Sequence, residues 1–501
     1  MAKYAIGLDN GGTVIKAAIF DEEGKEIAHF SKQTPIFTPK SGYTERDMED
    51  LWQNNCLCVK GALEKSGIDP KDIVGVAVCG HGKGLYLWGK DGKPAYNGIV
   101  STDSRAWKYP EKWEKDGTWE KLYPKVCQKF MACQQVSLLA WMKEYEKEVY
   151  DNIEWVFSVK DYIRFRLTEE AYSEATDISG SGLMDIKNVT FDKELLKELG
   201  IEEVYDKLAP IKYSYELCGR ITEEAAALTG LLPGTAVAGG MFDIDACAIG
   251  MNVTTPDELC TIAGTWSINE FISKTPVTDG SIAMNSLYAI PGYYLIEECS
   301  ATSAGNLEWY LSQCMDKTQY EGKSIYDEVN ELVSSVSPEE SNVYFLPFLY
   351  GSNAHPLGKG AFIGLTMYHT KAHMLRAIYE GVVYSHKTHI DKLLAARERP
   401  RAIRMAGGAT NSKIWVQMFA DVLGLPVETV TVKEIGAFGC AMAAFVAAGK
   451  YKDYTEAAGK MVCISDTVYP NDEMHKIYQE KYKVYRKISD ALDTVWSEFQ
   501  V

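Results

Sequence analysis

Four short stretches carry the residues able to do chemistry, and all four are built around glycine. "GLDNGGTVIKAAIFD" (Gly7–Asp21) sets Asp9 before a turn of Asn10, Gly11 and Gly12 and leaves it through Thr13, with Lys16 shortly after. Glycines there permit positive φ and let backbone N–H groups approach a ligand with no Cβ in the way, which makes the turn a candidate anion nest. The same composition also makes an ordinary hairpin turn. Asp9 adds weight to the first reading, because a carboxylate ending a buried strand is costly without a partner such as a bound cation. "GGMFDIDACAIG" (Gly239–Gly250) places Asp243 and Asp245 among small residues. A carboxylate with space around it can accept a proton from an attacking hydroxyl, so Asp243 is the candidate general base and Asp245 its competitor. "AGTW" brings Gly264 and Thr265 to a second turn, and "MAGGATNSKIWVQ" sets Gly407 and Gly408 ahead of a helix capped by Ser412. That last arrangement suits an anion or a polar ring edge, and equally a plain capped helix. Three glycine turns in one chain point to a nucleotide. Phosphoryl transfer asks a protein for positioned phosphates, charge neutralised by Mg²⁺ and an acceptor hydroxyl relieved of its proton. No GxxxxGK[ST] occurs, and a dinucleotide fingerprint would open a helix, whereas the first turn opens a second strand.

The elements that must hold these residues read as α/β. Tyr4–Leu8 and Val14–Phe20 are apolar enough to be neighbouring strands, and Glu26–Ser31 makes a third in an antiparallel meander. Thr44–Lys65 reads as a helix, with Thr44 or Asp47 as cap and Leu51, Trp52, Cys58 and Leu63 as its apolar stripe. Val74–Cys79 returns as a continuous apolar strand, expected parallel to the first and covered on both faces. The second half repeats the opening: "ELCTIAGTWSINEFIS" (Glu258–Ser273) is again strand, Gly-Thr turn, strand. This duplication predicts two domains, 1–245 and 246–501, joined by a short hinge connection.

With 501 residues and a net charge of -17, the chain is long enough for full cores and lacks the clustered Lys and Arg of a nucleic-acid footprint. Its 12 cysteines form no CxxC pairs, which fits reduced thiols in a cytoplasmic protein. The apolar stretch Cys440–Gly449 is too short to span a bilayer, and Met1 leads directly into the first strand, so neither membrane nor secretion is expected. His369 and His373 stand four apart but lack a third close ligand, and no structural metal is expected.

The order DNGGT, "VKDYIRFRLT", "SEATDISGSGLMDI", "GGMFDIDACAIG", AGTW, "GAFIGLTMYHTKAHMLRAIYEG", "AGGATNSKIWVQMFADVLGLPV" and "EIGAFGCAMAAFVAAG" resembles the FGGY carbohydrate kinases over essentially the whole chain. The resemblance implies the two-domain actin-like, ribonuclease H-like fold with an ATP cleft between lobes, ATP and Mg²⁺ as cofactors, and transfer of the γ-phosphate to a sugar hydroxyl. By motif position it implies Asp9 as the metal-associated aspartate, and Gly11, Gly12, Thr13 and Lys16 as the first phosphate loop. It further implies Gly264 and Thr265 as the second loop, Gly407, Gly408 and Ser412 as the adenosine site, and Asp243 as the base. "CGHGKGLYLWGKDGKPAYNGIVSTDSRA" (Cys79–Ala106) occupies the acceptor-binding segment, with His81, Lys83 and Asp103 as candidate sugar contacts. Lys83, the Ser101-Thr102 pair, "YGSNAHP" in place of Gly-Glu-Arg, and Leu138 in place of a signature lysine depart from the xylulokinase pattern. GHGKG, STDSRA and "FLPFLYGSNA" are most similar to the L-xylulose kinase branch, whose acceptors are ketopentoses and keto sugar acids. D-xylulose, L-ribulose or gluconate as acceptor, and an actin-fold ATPase that drives only domain motion, are the alternative readings. A homodimer is the candidate assembly.

Overall fold

The computed structural model describes residues 2–315 and 324–499. Contacts group them into two compact units that interleave along the chain: Met1–Thr254 with Ile272–Ile296 and Val432–Val462, and Thr255–Phe271 with Glu297–Thr431 and Cys463–Val501.

In the first unit, β1 (Tyr4–Asn10), β2 (Val14–Asp21) and β3 (Glu26–Gln33) form the antiparallel meander, and α1 (Met48–Ser66) leads to β4 (Ile73–Gly80), which lies parallel to β1. Asp47, not Thr44, caps α1: its side chain accepts from the Asp50 amide, and Gly67 ends the helix at φ 65°. Beyond β4 the sheet continues with β5 (Leu217–Arg220) and β6 (Ala236–Ala238), giving the order β5–β6–β4–β1–β2–β3. A short β7 (Met241–Phe242) pairs with the end of β4 and delivers the chain into α2 (Asp243–Gly250). The helix Ile435–Ala447 crosses β1 so closely that a Cβ on Gly7 would sit 1.7 Å from the Ala437 carbonyl oxygen. Only glycine fits there.

The second unit repeats the device. β8 (Glu258–Ala263) and β9 (Ser267–Ser273) form an antiparallel hairpin. After α3 (Lys371–Ala395), β10 (Ala402–Ala406) runs parallel to β8, just as β4 runs parallel to β1. Helix α4 (Lys413–Leu423) then leads to β11 (Val427–Val430), parallel to β10, and β12 (Ile464–Val468) closes that edge antiparallel. Thus each unit carries a hairpin whose tip is a glycine turn, flanked by a parallel strand.

Candidate active site

Register places Asp9 opposite Lys16 on β2 and Cys79 on β4, at the end of β1. Burial raises the Asp9 carboxyl above the usual carboxylate range, Lys16 opposes that rise, and Glu434 adds to it. Lys16 is itself held 2.8 Å from Glu434. Glycine at 436 allows this crowding, since a Cβ there would lie 3.0 Å from Asp9 Oδ2. Past Asp9 the turn is fixed by the Gly11 amide donating to the Val14 carbonyl at 3.1 Å, which leaves Gly12 and Thr13 exposed.

Asp243 opens α2, and its proton is held well above the usual range by burial first and then by the charges of Asp9 and Asp177; the Ile244 amide and Lys83 oppose them. Asp245 points elsewhere. Fully buried, it accepts the Ala289 amide at 2.9 Å. The two acids read together in sequence therefore diverge at the helix start, one toward other ionisable groups and one into the fold.

The acceptor-segment candidates occupy three different settings. His81 is buried, its Nδ1 lying 3.2 Å from the Gly82 carbonyl and its Nε2 accepting from the Tyr86 hydroxyl at 3.0 Å. Burial, together with the Arg46 and Lys83 charges, lowers its pKa to about 3, so the ring is neutral. Lys83 takes a left-handed conformation at φ 64° between Gly82 and Gly84, and its ammonium stands 5.7 Å from the centre of the Phe242 ring. Asp103 is buried and locked: it accepts the Thr44 amide at 2.7 Å and the Arg105 guanidinium at 2.8–3.0 Å, while Arg105 also pairs with Glu45 at 2.7 Å. Its carboxylate is held by groups of the segment and by Thr44.

The sequence reading assigned no role to a buried ionic cluster built from "VKDYIRFRLT" and "SEATDISGSGLMDI". Lys160 lies 2.8 Å from Asp161, 3.3 Å from Glu174 and 3.7 Å from Asp177, and Arg164 lies 2.7 Å from Asp161. Burial drives the Asp177 carboxyl up to about 7 even beside Lys160. Thr176 ties this cluster to the candidate base: its hydroxyl donates to Glu174 at 2.7 Å and accepts the Phe242 amide at 2.9 Å. The residue before Asp243 is thereby pinned.

In the second unit, Gly264 and Thr265 form the tip between β8 and β9, with Thr265 exposed. Gly407, at φ 95°, packs directly behind this tip, because a Cβ on it would meet the Ala263 carbonyl at 2.5 Å and the Gly264 nitrogen at 2.8 Å. Gly408 opens the next turn. Ser412 caps α4 by accepting from the Trp415 amide at 3.2 Å, and donates to Asn330 at 2.6 Å. His369 and His373 are taken up locally by Thr366 and Thr370, and His386 and His389 by buried serine, asparagine and glutamate side chains. Among the described residues, the grouping able to hold a metal through three ligands is His355, Asp490 and Asp493, none of which the sequence had singled out.

Comparison with known proteins adds the following. Residues 4–250 match the N-terminal domain of the FGGY family of carbohydrate kinases, and residues 259–448 match its C-terminal domain. The chain is 38% identical to an L-xylulose/3-keto-L-gulonate kinase of Escherichia coli K12, covering 98% of both sequences. It is 36% identical to a probable L-xylulose kinase of Pasteurella multocida, over 98% of this chain and 99% of that one. A solved gluconate kinase from Lactobacillus acidophilus superposes with a TM-score of 0.90 at 25% identity over 100% of both chains, and a xylulose kinase from the same organism superposes at 0.89 and 25% over 99% and 100%.

Proposed function

This chain belongs to the FGGY family of carbohydrate kinases, and from that membership we propose that it transfers the γ-phosphate of ATP to a hydroxyl of a ketopentose or related keto sugar acid, with L-xylulose the leading acceptor. The observation that carries the acceptor choice is full-length similarity, at 38% and 36% identity, to two relatives bearing that substrate in their names.

Asp243 takes the proton of the attacking hydroxyl. Burial and like charge raise its basicity, the direction that a general base requires. The exposed tips Gly11–Thr13 and Gly264–Thr265 take phosphate oxygens on backbone amides, and Gly407, Gly408 and Ser412 take the adenosine. Lys83 donates to acceptor oxygens near Asp243, in whose field it lies. Asp9 is a fitting carboxylate for Mg²⁺, because burial and the Glu434 charge disfavour its ionised form against Lys16 and its charge acts on Asp243, so a cation there would relieve both acids. When bound, the cation supplies charge neutralisation for the transferring phosphates.

The gluconate kinase superposition favours one second reading, a sugar acid without a ketone as acceptor. Coupled ADP-release kinetics with L-xylulose, 3-keto-L-gulonate, D-xylulose, L-ribulose and gluconate separate the two. The highest kcat/KM is expected for L-xylulose or 3-keto-L-gulonate; preference for gluconate would reverse the assignment.

A further inference from the structure

Arg46 is fully buried, yet two of its three guanidinium nitrogens, Nε and Nη1, have no hydrogen-bond partner among the described residues. The third, Nη2, donates to the Gly12 carbonyl. No carboxylate of the described residues pairs with it. A buried cation bonded on one nitrogen is expensive to keep, and such groups persist where a ligand completes their bonding.

Its placement says which ligand. Arg46 sits on a two-residue strand, Glu45–Arg46, paired antiparallel with Gly98–Ile99 of the acceptor segment. Glu45 faces the Arg105–Asp103 lock, and Arg46 turns the other way, toward Tyr86 and Gly98. A Cβ on Gly98 would lie 3.3 Å from Arg46 Cγ and 2.4 Å from the Tyr86 ring, so glycine clears the way for the arginine stem. The Arg46 charge acts on both His81 and Tyr86, whereas Lys83 is the cation acting on Asp243. Within a trans peptide the C=O and the following N–H are antiparallel, so a donor on the Gly12 carbonyl stands on the side away from the Thr13 amide that would face a phosphate. The guanidinium therefore stands off the phosphate-facing side of the turn, beside Gly98 and Tyr86 of the acceptor segment. Gly12 occupies one N–H of Nη2, which leaves one complete two-hydrogen edge of the guanidinium free for a planar anion.

Building on the kinase reading above, we propose that Arg46 reads the carboxylate of a keto sugar acid and so extends acceptor use from the neutral ketose to the acid. Lys83 serves the reacting end shared by both sugars; Arg46 serves the end that differs. The bidentate edge gives the acid two charge-assisted bonds, where a ketose offers only neutral oxygens.

The test is steady-state phosphorylation of L-xylulose and 3-keto-L-gulonate by the wild type, Arg46→Gln and Arg46→Lys, with thermal unfolding of each. Arg46→Gln should raise KM for 3-keto-L-gulonate by about tenfold to hundredfold, with a change of no more than a few-fold for L-xylulose and none in KM for ATP. Arg46→Lys keeps the charge and loses the fork, so it should recover part of the acid use, and it carries the measurement if the glutamine variant does not fold. The unfolding temperature should not fall, because an unpaired buried cation has been removed. Equal loss for both sugars, a raised KM for ATP, or a wild type that uses L-xylulose and ignores the acid would overturn the proposal. A wild type that phosphorylates neither sugar would instead remove the acceptor assignment on which it rests.

Discussion

At the scale of single residues, the account turns on Asp243, whose carboxyl is kept basic by burial, Asp9 and Asp177 while Lys83 opposes them. Removing a positioned base costs on the order of 10² to 10⁴ in rate, so Asp243→Asn should lose that much turnover and keep its fold and nucleotide affinity. Near wild-type turnover would reject the role. Lys83 supplies a second handle. Since it lowers the Asp243 pKa, Lys83→Met should raise that pKa further and shift the acid limb of the pH profile of kcat/KM to higher pH. An acid limb that stays in place would mean the ammonium does not act on the base. Asp243 stands out in sequence because small residues surround it, and its divergence from Asp245 follows from the helix that begins there. Asp103 reads as a sugar contact from its loop position, but it is locked by Arg105 two residues on and by the Thr44 amide, which is distant in sequence.

Among elements, the hairpins, their glycine tips and the α4 cap at Ser412 were readable from period and turn chemistry alone. The start of α1 was readable only as a choice between Thr44 and Asp47. Asp47 is the cap, because Glu45–Arg46 pairs instead with Gly98–Ile99, a contact that local pattern cannot encode. The ionic cluster was equally hidden, since no local pattern marks Lys160, Asp161 and Arg164 for burial, and all three are fully buried. Its presence makes stability depend on pH. Asp177 has a folded-state pKa of about 7 against an ordinary 3.8, so the native state binds its proton more tightly than the unfolded chain. That contribution is complete below the lower value and is lost as pH rises through the higher one. Asp177→Asn imitates the neutral acid. In denaturant melts on either side of that window, its stability relative to wild type should improve as pH rises; a pH-independent difference would contradict the burial argument.

For the whole molecule, the family matches run from residue 4 to 250 and from 259 to 448, while compact packing returns Ile272–Ile296 and Val432–Val462 to the first unit. The second of these segments brings Glu434 to Lys16 and Gly436 to Asp9, so the surroundings of Asp9 are completed from more than 400 residues away in sequence. No helix among the described residues is long and apolar enough to cross a membrane. What distinguishes a kinase from an ATPase of related fold is where the phosphoryl group goes: to an acceptor held beside a base, or to water. Phosphorus NMR of the wild-type protein with ATP and L-xylulose decides this. The account predicts that the γ-phosphate signal is replaced by ADP and a sugar phosphate ester in equal amounts, with ATP stable when the sugar is left out. Inorganic phosphate as the product, released at the same rate with or without sugar, would contradict it.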